Sequence, residues 1–155
     1  MQASASLTEA DRSTQGLTSD LTVLTKHLLM HTSSEFMATV ERLGLSFTQV
    51  KTLGVLRDAE SPLTVKDLSD RLGLSLPALS RAVESLVRRA EVKREEDRLD
   101  RRCKRVTLTA RGRRTFDQLA ARRAAGVRRF VEGLDPTDRD SLSEALRPIV
   151  ERYVT

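Results

Sequence analysis

The 155-residue chain has no tryptophan, one tyrosine (Tyr153) and four phenylalanines. Recognition of single strands by base stacking needs aromatic platforms, so that mode has little to stand on. The only cysteine, Cys103, cannot close an internal disulfide, and nothing implies an oxidising compartment. Two histidines and one cysteine are thin material for an active site. With no Gly-rich phosphate loop, no Ser/His/Asp arrangement and no nucleophile elbow, the chain reads as a non-enzyme without a cofactor. No run approaches the roughly 18 apolar residues of a membrane span. Met1 to Gln15, rich in Ala, Ser and Thr with acidic residues among them, is not a signal peptide. The expected setting is therefore the cytoplasm, with no membrane partner. Four prolines and seven glycines leave most of the chain free to be helical.

What is present is charge, unevenly spread. The formal net charge is +5, yet residues 88–114 alone carry twelve Lys and Arg against five Asp and Glu. The excess of positive charge is thus confined to one short segment. A basic balance suits a phosphate backbone or an anionic membrane, and the balance alone distinguishes neither.

Composition predicts an unordered tail over residues 1–16. A long helix follows from about Ser19 to Leu43, ended by Gly44. Leu21, Leu24 and Leu28 lie on one stripe and Leu29, Phe36, Val40 and Leu43 on another, so this helix needs two neighbours, which points to a dimer interface. Ser46 and Gln49 form a capping box opening a helix to about Asp58. Thr64 caps a short helix to Leu72, Gly73 ends it, and Ser75 caps the next, with Pro77 in its first turn, to about Ala90. From Glu91 the period changes: Val92, Val106 and Leu108 alternate with polar residues, the signature of a β-hairpin with a charged tip. Thr109 caps a helix over Ala110 to Glu132. Asp135-Pro136 starts a last one through Leu142, Leu146, Ile149 and Val150.

Two short helices joined by Gly73-Leu74-Ser75 form a helix-turn-helix. Leu68, Leu72, Leu79, Val83 and Leu86 can lock the pair, leaving the opposite face of the second helix to enter a major groove. That face collects Pro77, Ala78, Ser80, Arg81, Glu84 and Arg88. Small residues at Ser75, Pro77, Ala78 and Ser80 let the backbone approach base edges and thymine methyls. Ser75 and the free amides beside it suit a phosphate, and Arg81 is the candidate for a base or phosphate contact. An ordinary solvated helix face would look similar, but the hairpin that follows changes the balance. Arg98, Arg101 and Arg102 crowd its tip, where they can reach a narrow, negative minor groove. Asp100 can pair with Arg101 or Arg102 and hold the tip in shape. Glu95, Glu96 and Asp97 oppose DNA unless they point away.

The run Val92-Lys93-Arg94-Glu95-Glu96-Asp97-Arg98-Leu99-Asp100-Arg101-Arg102, continued by Leu108-Thr109-Ala110-Arg111-Gly112, resembles the wing of MarR-family regulators, V-x-R-x-x-D-x-x-D-x-R and then L-T-x-x-G. Gly44 to Gln49, Leu63 to Leu68, Gly73 to Ser75 and Leu79 to Val83 are similar to the same family's second helix and helix-turn-helix. The resemblance spans about residues 20–150 and is most specific over 44–112. It implies a mainly α fold: a winged helix-turn-helix with a small β-hairpin wing, on a base of N- and C-terminal helices. The chain then divides into the tail (1–16), an N-terminal dimerisation helix (17–45), a DNA-binding lobe (46–109) and C-terminal dimerisation helices (110–155).

The implied partners are double-stranded DNA, as a pseudopalindromic operator, and a second copy of the chain. Asp100 would buttress the wing and Arg102 would enter the minor groove. Many members are repressors released by small phenolic or other lipophilic anions, which makes a small-molecule effector part of what the resemblance implies. Two features depart from the family. The cysteine of its oxidation-sensing members, near the start of the first helix, has no counterpart here, and Ala90 stands where glycine is usual before the wing.

His27 and His31, four apart on the first helix, have a spacing that could hold a metal, but no third or fourth ligand suggests itself, so no metal site is assigned. They are taken as interface or pocket histidines, with effector contact as their candidate role. Cys103, without a resolving partner, reads as a bystander. The alternative to a DNA-binding regulator is a winged-helix protein-interaction module that does not bind DNA. Arg81, Arg101 and Arg102 favour the regulator, because such a module has no need of a basic wing tip.

Overall fold

Capping chemistry sets many of the element boundaries in the structure, a computed structural model that describes residues 9–96 and 104–154, with residues 9–12, 31 and 32 described by backbone only. The order is α1 (Glu9–Thr32), α2 (Ser34–Arg42), α3 (Phe47–Asp58), β1 (Leu63–Thr64), α4 (Val65–Leu72), α5 (Leu76–Arg88), β2 (Val92–Glu96), β3 (Lys104–Leu108), α6 (Ala110–Glu132) and α7 (Pro136–Tyr153). The backbone divides into two units, residues 36–122 and, separately, 1–35 together with 123–155.

Residues 36–122 hold the winged helix-turn-helix. Ser46 opens α3 with the expected capping box: its Oγ accepts from the Gln49 amide at 3.3 Å, and the Gln49 side chain accepts from the Ser46 amide at 2.8 Å. Thr64 and Asp67 repeat the device at α4, at 3.1 and 2.8 Å. Gly73 then adopts φ +62°, a left-handed conformation that costs glycine nothing, and turns the chain toward α5. Leu53, Leu68, Leu79, Val83, Leu86 and Val106 are wholly buried where α3, α4, α5 and the sheet meet. The sheet is antiparallel in the order β1-β3-β2, pairing Leu63 with Val106 and Val92 with Leu108. The two-residue β1 was not anticipated, because so short a strand carries no alternation to read.

Thr109 joins the sheet to α6. Its hydroxyl donates to the Ala90 carbonyl at 2.7 Å and accepts from the Gly112 amide at 3.0 Å. Gly112 is glycine for a steric reason: a Cβ there would stand 2.0 Å from the Glu91 carbonyl oxygen. Ala90 takes φ +54°, doing what glycine usually does. The Ala90 and Glu91 amides reach the Val87 and Leu86 carbonyls, both at 2.9 Å, and close α5 in a Schellman pattern. β2 follows at Val92, so alanine at this position does not prevent the turn.

In the unit built from the chain ends, α1 begins at Glu9, and the tail expected over residues 1–16 is corrected in its second half. A single glycine, Gly16, costs about 1 kcal/mol relative to alanine and does not stop a helix that continues beyond it. The single helix expected from Ser19 to Leu43 is broken at Ser33, where Ser33 and Ser34 offer hydroxyls that compete with helical backbone bonds. Glu35 pairs with Arg129 at 2.7 Å, and the rings of His27 and Phe130 lie 5.7 Å apart. Asp135 caps α7 by accepting from the Thr137 amide at 2.9 Å.

Two outcomes follow from these local contacts. Gly112→Ala forces the start of α6 off the Glu91 carbonyl and should cost about 3 kcal/mol, read as a lower urea midpoint. Asp67 is held below the ordinary aspartate value of 3.8, first by the Thr64 amide it accepts from and then by the Thr64 hydroxyl, with Arg105 and Arg71 adding to the effect. Its stabilisation is therefore present above that value and lost as pH falls through the lowered one. Asp67→Ala should lower stability by about 1 kcal/mol at neutral pH, and the gap from wild type should close below pH 3.8.

Candidate nucleic-acid interface

The geometry of α5 follows from its buried face. Leu79, Ala82, Val83 and Leu86 point into the core, which turns Ser75, Pro77 and Arg81 to solvent, with Ala78 and Ser80 half-buried. Ser75 stands at the N-cap as expected, but its side chain makes no capping bond. Its hydroxyl and the neighbouring amides of the first turn are left to meet an outside acceptor.

Arg81 is exposed, and no carboxylate among the described residues pairs with it. By contrast Arg88 is tied to Glu84 one turn away at 3.5 Å. One apolar side chain on this surface escaped the sequence reading: Leu76, at the first helical position, is 48% exposed. The signal available for it was only its place next to the N-cap.

The hairpin stem answers the difficulty posed by two of its acidic residues, Glu95 and Glu96. In the register of β2 and β3, Glu95 lies opposite Arg105 and Glu96 opposite Lys104. Lys93, two residues before Glu95 and so on the same face, reaches its carboxylate at 2.7 Å. The acids of the stem are thus set among cations, and opposite charges across a ladder stabilise it. Arg105 also donates to the Pro62 carbonyl at 3.1 Å, fastening β3 to the turn before β1. Arg94 and Lys104 add exposed cations to the stem that the sequence reading had not singled out.

Arg98, Asp100, Arg101, Arg102 and Cys103 lie outside the described residues, as does Asp97. His27 is exposed on α1 beside Phe130, and the His31 side chain is likewise outside the description. Among the described residues no group of three His, Cys, Asp or Glu could hold a metal ion, and no helix is long and apolar enough to cross a membrane.

Comparison with known proteins places this geometry. The family model described as "MarR family" matches residues 43–102. The HTH-type transcriptional regulator YfiV of Bacillus subtilis is 29% identical over 105 residues, covering 68% of this chain and 65% of YfiV, just under two thirds of its length. The crystal structure of RV1404 from Mycobacterium tuberculosis is 28% identical and superposes with a TM-score of 0.72, covering 88% of this chain and 91% of that one. A single-residue mutant of MepR of S. aureus, bound to an oligodeoxyribonucleotide, shares the fold at 20% identity with a TM-score of 0.67, over 84% of this chain and 96% of that one. The helix-turn-helix and the three-stranded sheet give the chain the winged-helix fold of these structures, and its residues 43–102 are similar to the MarR family.

Proposed function

We propose that this protein acts as a homodimer on a pseudopalindromic operator, and that it represses transcription by occupying that site. The observation that carries the reading is the outward face of α5, where Arg81 pairs with no carboxylate among the described residues and the Ser75 side chain makes no capping bond. Ser75, Pro77, Ala78, Ser80 and Arg81 enter the major groove. Arg98, Arg101 and Arg102 serve the adjacent minor groove, with Asp100 supporting the wing. The DNA-bound MepR structure lends support by its likeness of fold.

Dimerisation is assigned to segments 17–45 and 110–155, with 46–109 as the DNA-binding lobe. Support comes from large apolar side chains that face water: Leu21, Leu29 and Met30 on α1, and Leu146, Ile149 and Val150 on α7. Apolar surface of this extent on terminal helices suits burial against a second copy. The protein performs no catalysis in this reading and works in the cytoplasm. A small lipophilic or phenolic effector relieves repression, and His27 and His31 are the residues assigned to contact it. No observation favours an interaction module that has lost DNA binding.

The test is recovery of genomic fragments by the purified protein. It should enrich a two-fold-symmetric sequence that takes up two protomers, with affinity falling by about 0.9 log units per log unit of salt for each phosphate neutralised. Fragments without shared symmetry, or binding indifferent to salt, would overturn the reading. Arg81→Ala should cost on the order of 1–3 kcal/mol on the recovered site and relax base preference there. A uniform loss on every sequence would make Arg81 a phosphate clamp instead.

A further inference from the structure

Glu91 is an ionisable group for which the reading above has no use. Its side chain is only 2% exposed, Oε1 stands 3.8 Å from both Nη2 of Arg89 and Nε of Arg111, and Oε2 has no partner among the described residues. An ionised carboxylate is costly to bury, and a leucine could fill the same space without that cost. What the carboxylate adds is its hold on two arginines that come from different directions. Arg89 ends α5, and its Nη2 donates to the Leu43 carbonyl beyond α2 at 2.5 Å. Arg111 belongs to the first turn of α6. The backbone of Glu91 makes matching connections: its amide donates to the Leu86 carbonyl at 2.9 Å, and its carbonyl accepts from the Thr109 amide at 3.0 Å and hydroxyl at 3.1 Å.

One residue therefore gathers the end of α5, the chain after α2 and the start of α6 at the point where β2 departs. We propose that Glu91 is the positioning residue of the wing: its carboxylate holds Arg89 and Arg111 in place and fixes the angle at which the β2–β3 ribbon leaves α5. The proposal rests on the reading of the chain as a DNA-binding regulator whose ribbon serves the minor groove. The lever is long. Five residues of β2 extend about 16 Å at roughly 3.3 Å per residue, so a tilt of about 10° at the base moves the far end by about 3 Å. Contacts with a groove tolerate about 0.5 Å.

The test compares full-length wild type, Glu91→Leu and Glu91→Gln on a duplex that the wild type has selected. Glu91→Leu keeps the buried volume, Arg89 keeps its bond to the Leu43 carbonyl and Arg111 stays largely exposed, so the melting temperature should change little. Both variants should bind that duplex about ten-fold more weakly, the size of one lost groove contact. Hydroxyl-radical protection in the minor groove should vanish while guanine N7 protection in the major groove persists. Adding Arg111→Ala to Glu91→Leu should weaken binding no further. Wild-type affinity with intact minor-groove protection in either variant would overturn the proposal. So would a lower melting temperature with protection lost equally in both grooves, since that marks a general structural role. If the wild type selects no duplex at all, the failure belongs to the regulator reading beneath it.

Discussion

The burial of one face of α5 is the interaction on which the rest of this lobe depends. Leu79, Val83 and Leu86 are fully withdrawn from water against Leu53, Leu68 and Val106. Each such side chain contributes about 1.5–3 kcal/mol relative to an exposed one. Their energetic weight also fixes the rotation of the helix about its axis. Once that face is inside, Pro77 and Arg81 can only face outward, and rotating the helix to present another set would expose three large apolar side chains. The face proposed to meet DNA is therefore a consequence of core packing.

Electrostatics acts at a second level, in the wing. A ribbon proposed to meet a polyanion carries glutamates at 95 and 96, which by charge alone would oppose it. The ladder register sets them across from Arg105 and Lys104, and Lys93 closes on Glu95 from the same strand. Such exposed pairs add little to stability individually. Their effect here is to neutralise the acids inside the stem, so that they do not set the charge the ribbon presents.

Much of the local structure was legible in the sequence because the signals were chemical and short-range. Ser46 with Gln49, Thr64 and Asp135 were read as caps and act as caps. Gly73 was read as a positive-φ stop and has φ +62°. Ala110 to Glu132 was expected as a helix and is one. The reading was least accurate at the N-terminal helices. Composition alone treated residues 9–16 as tail, and hydrophobic periodicity ran across Ser33 without registering the break. Periodicity reports which residues seek burial, and backbone continuity is a separate property. Ser75 was half legible: its position was right, but its hydroxyl does not close the cap.

The sequence by itself determined where the helices from α3 onward start and stop, where the chain turns between them, and which short segment concentrates positive charge. These depend on residues within about four positions of one another. Tertiary structure alone decided that Gly112 must lack a Cβ, that Leu63 and Thr64 join the sheet, and that Glu91 is buried between two arginines. Each of those depends on at least one partner more than 15 residues away along the chain, a relation that no local pattern encodes.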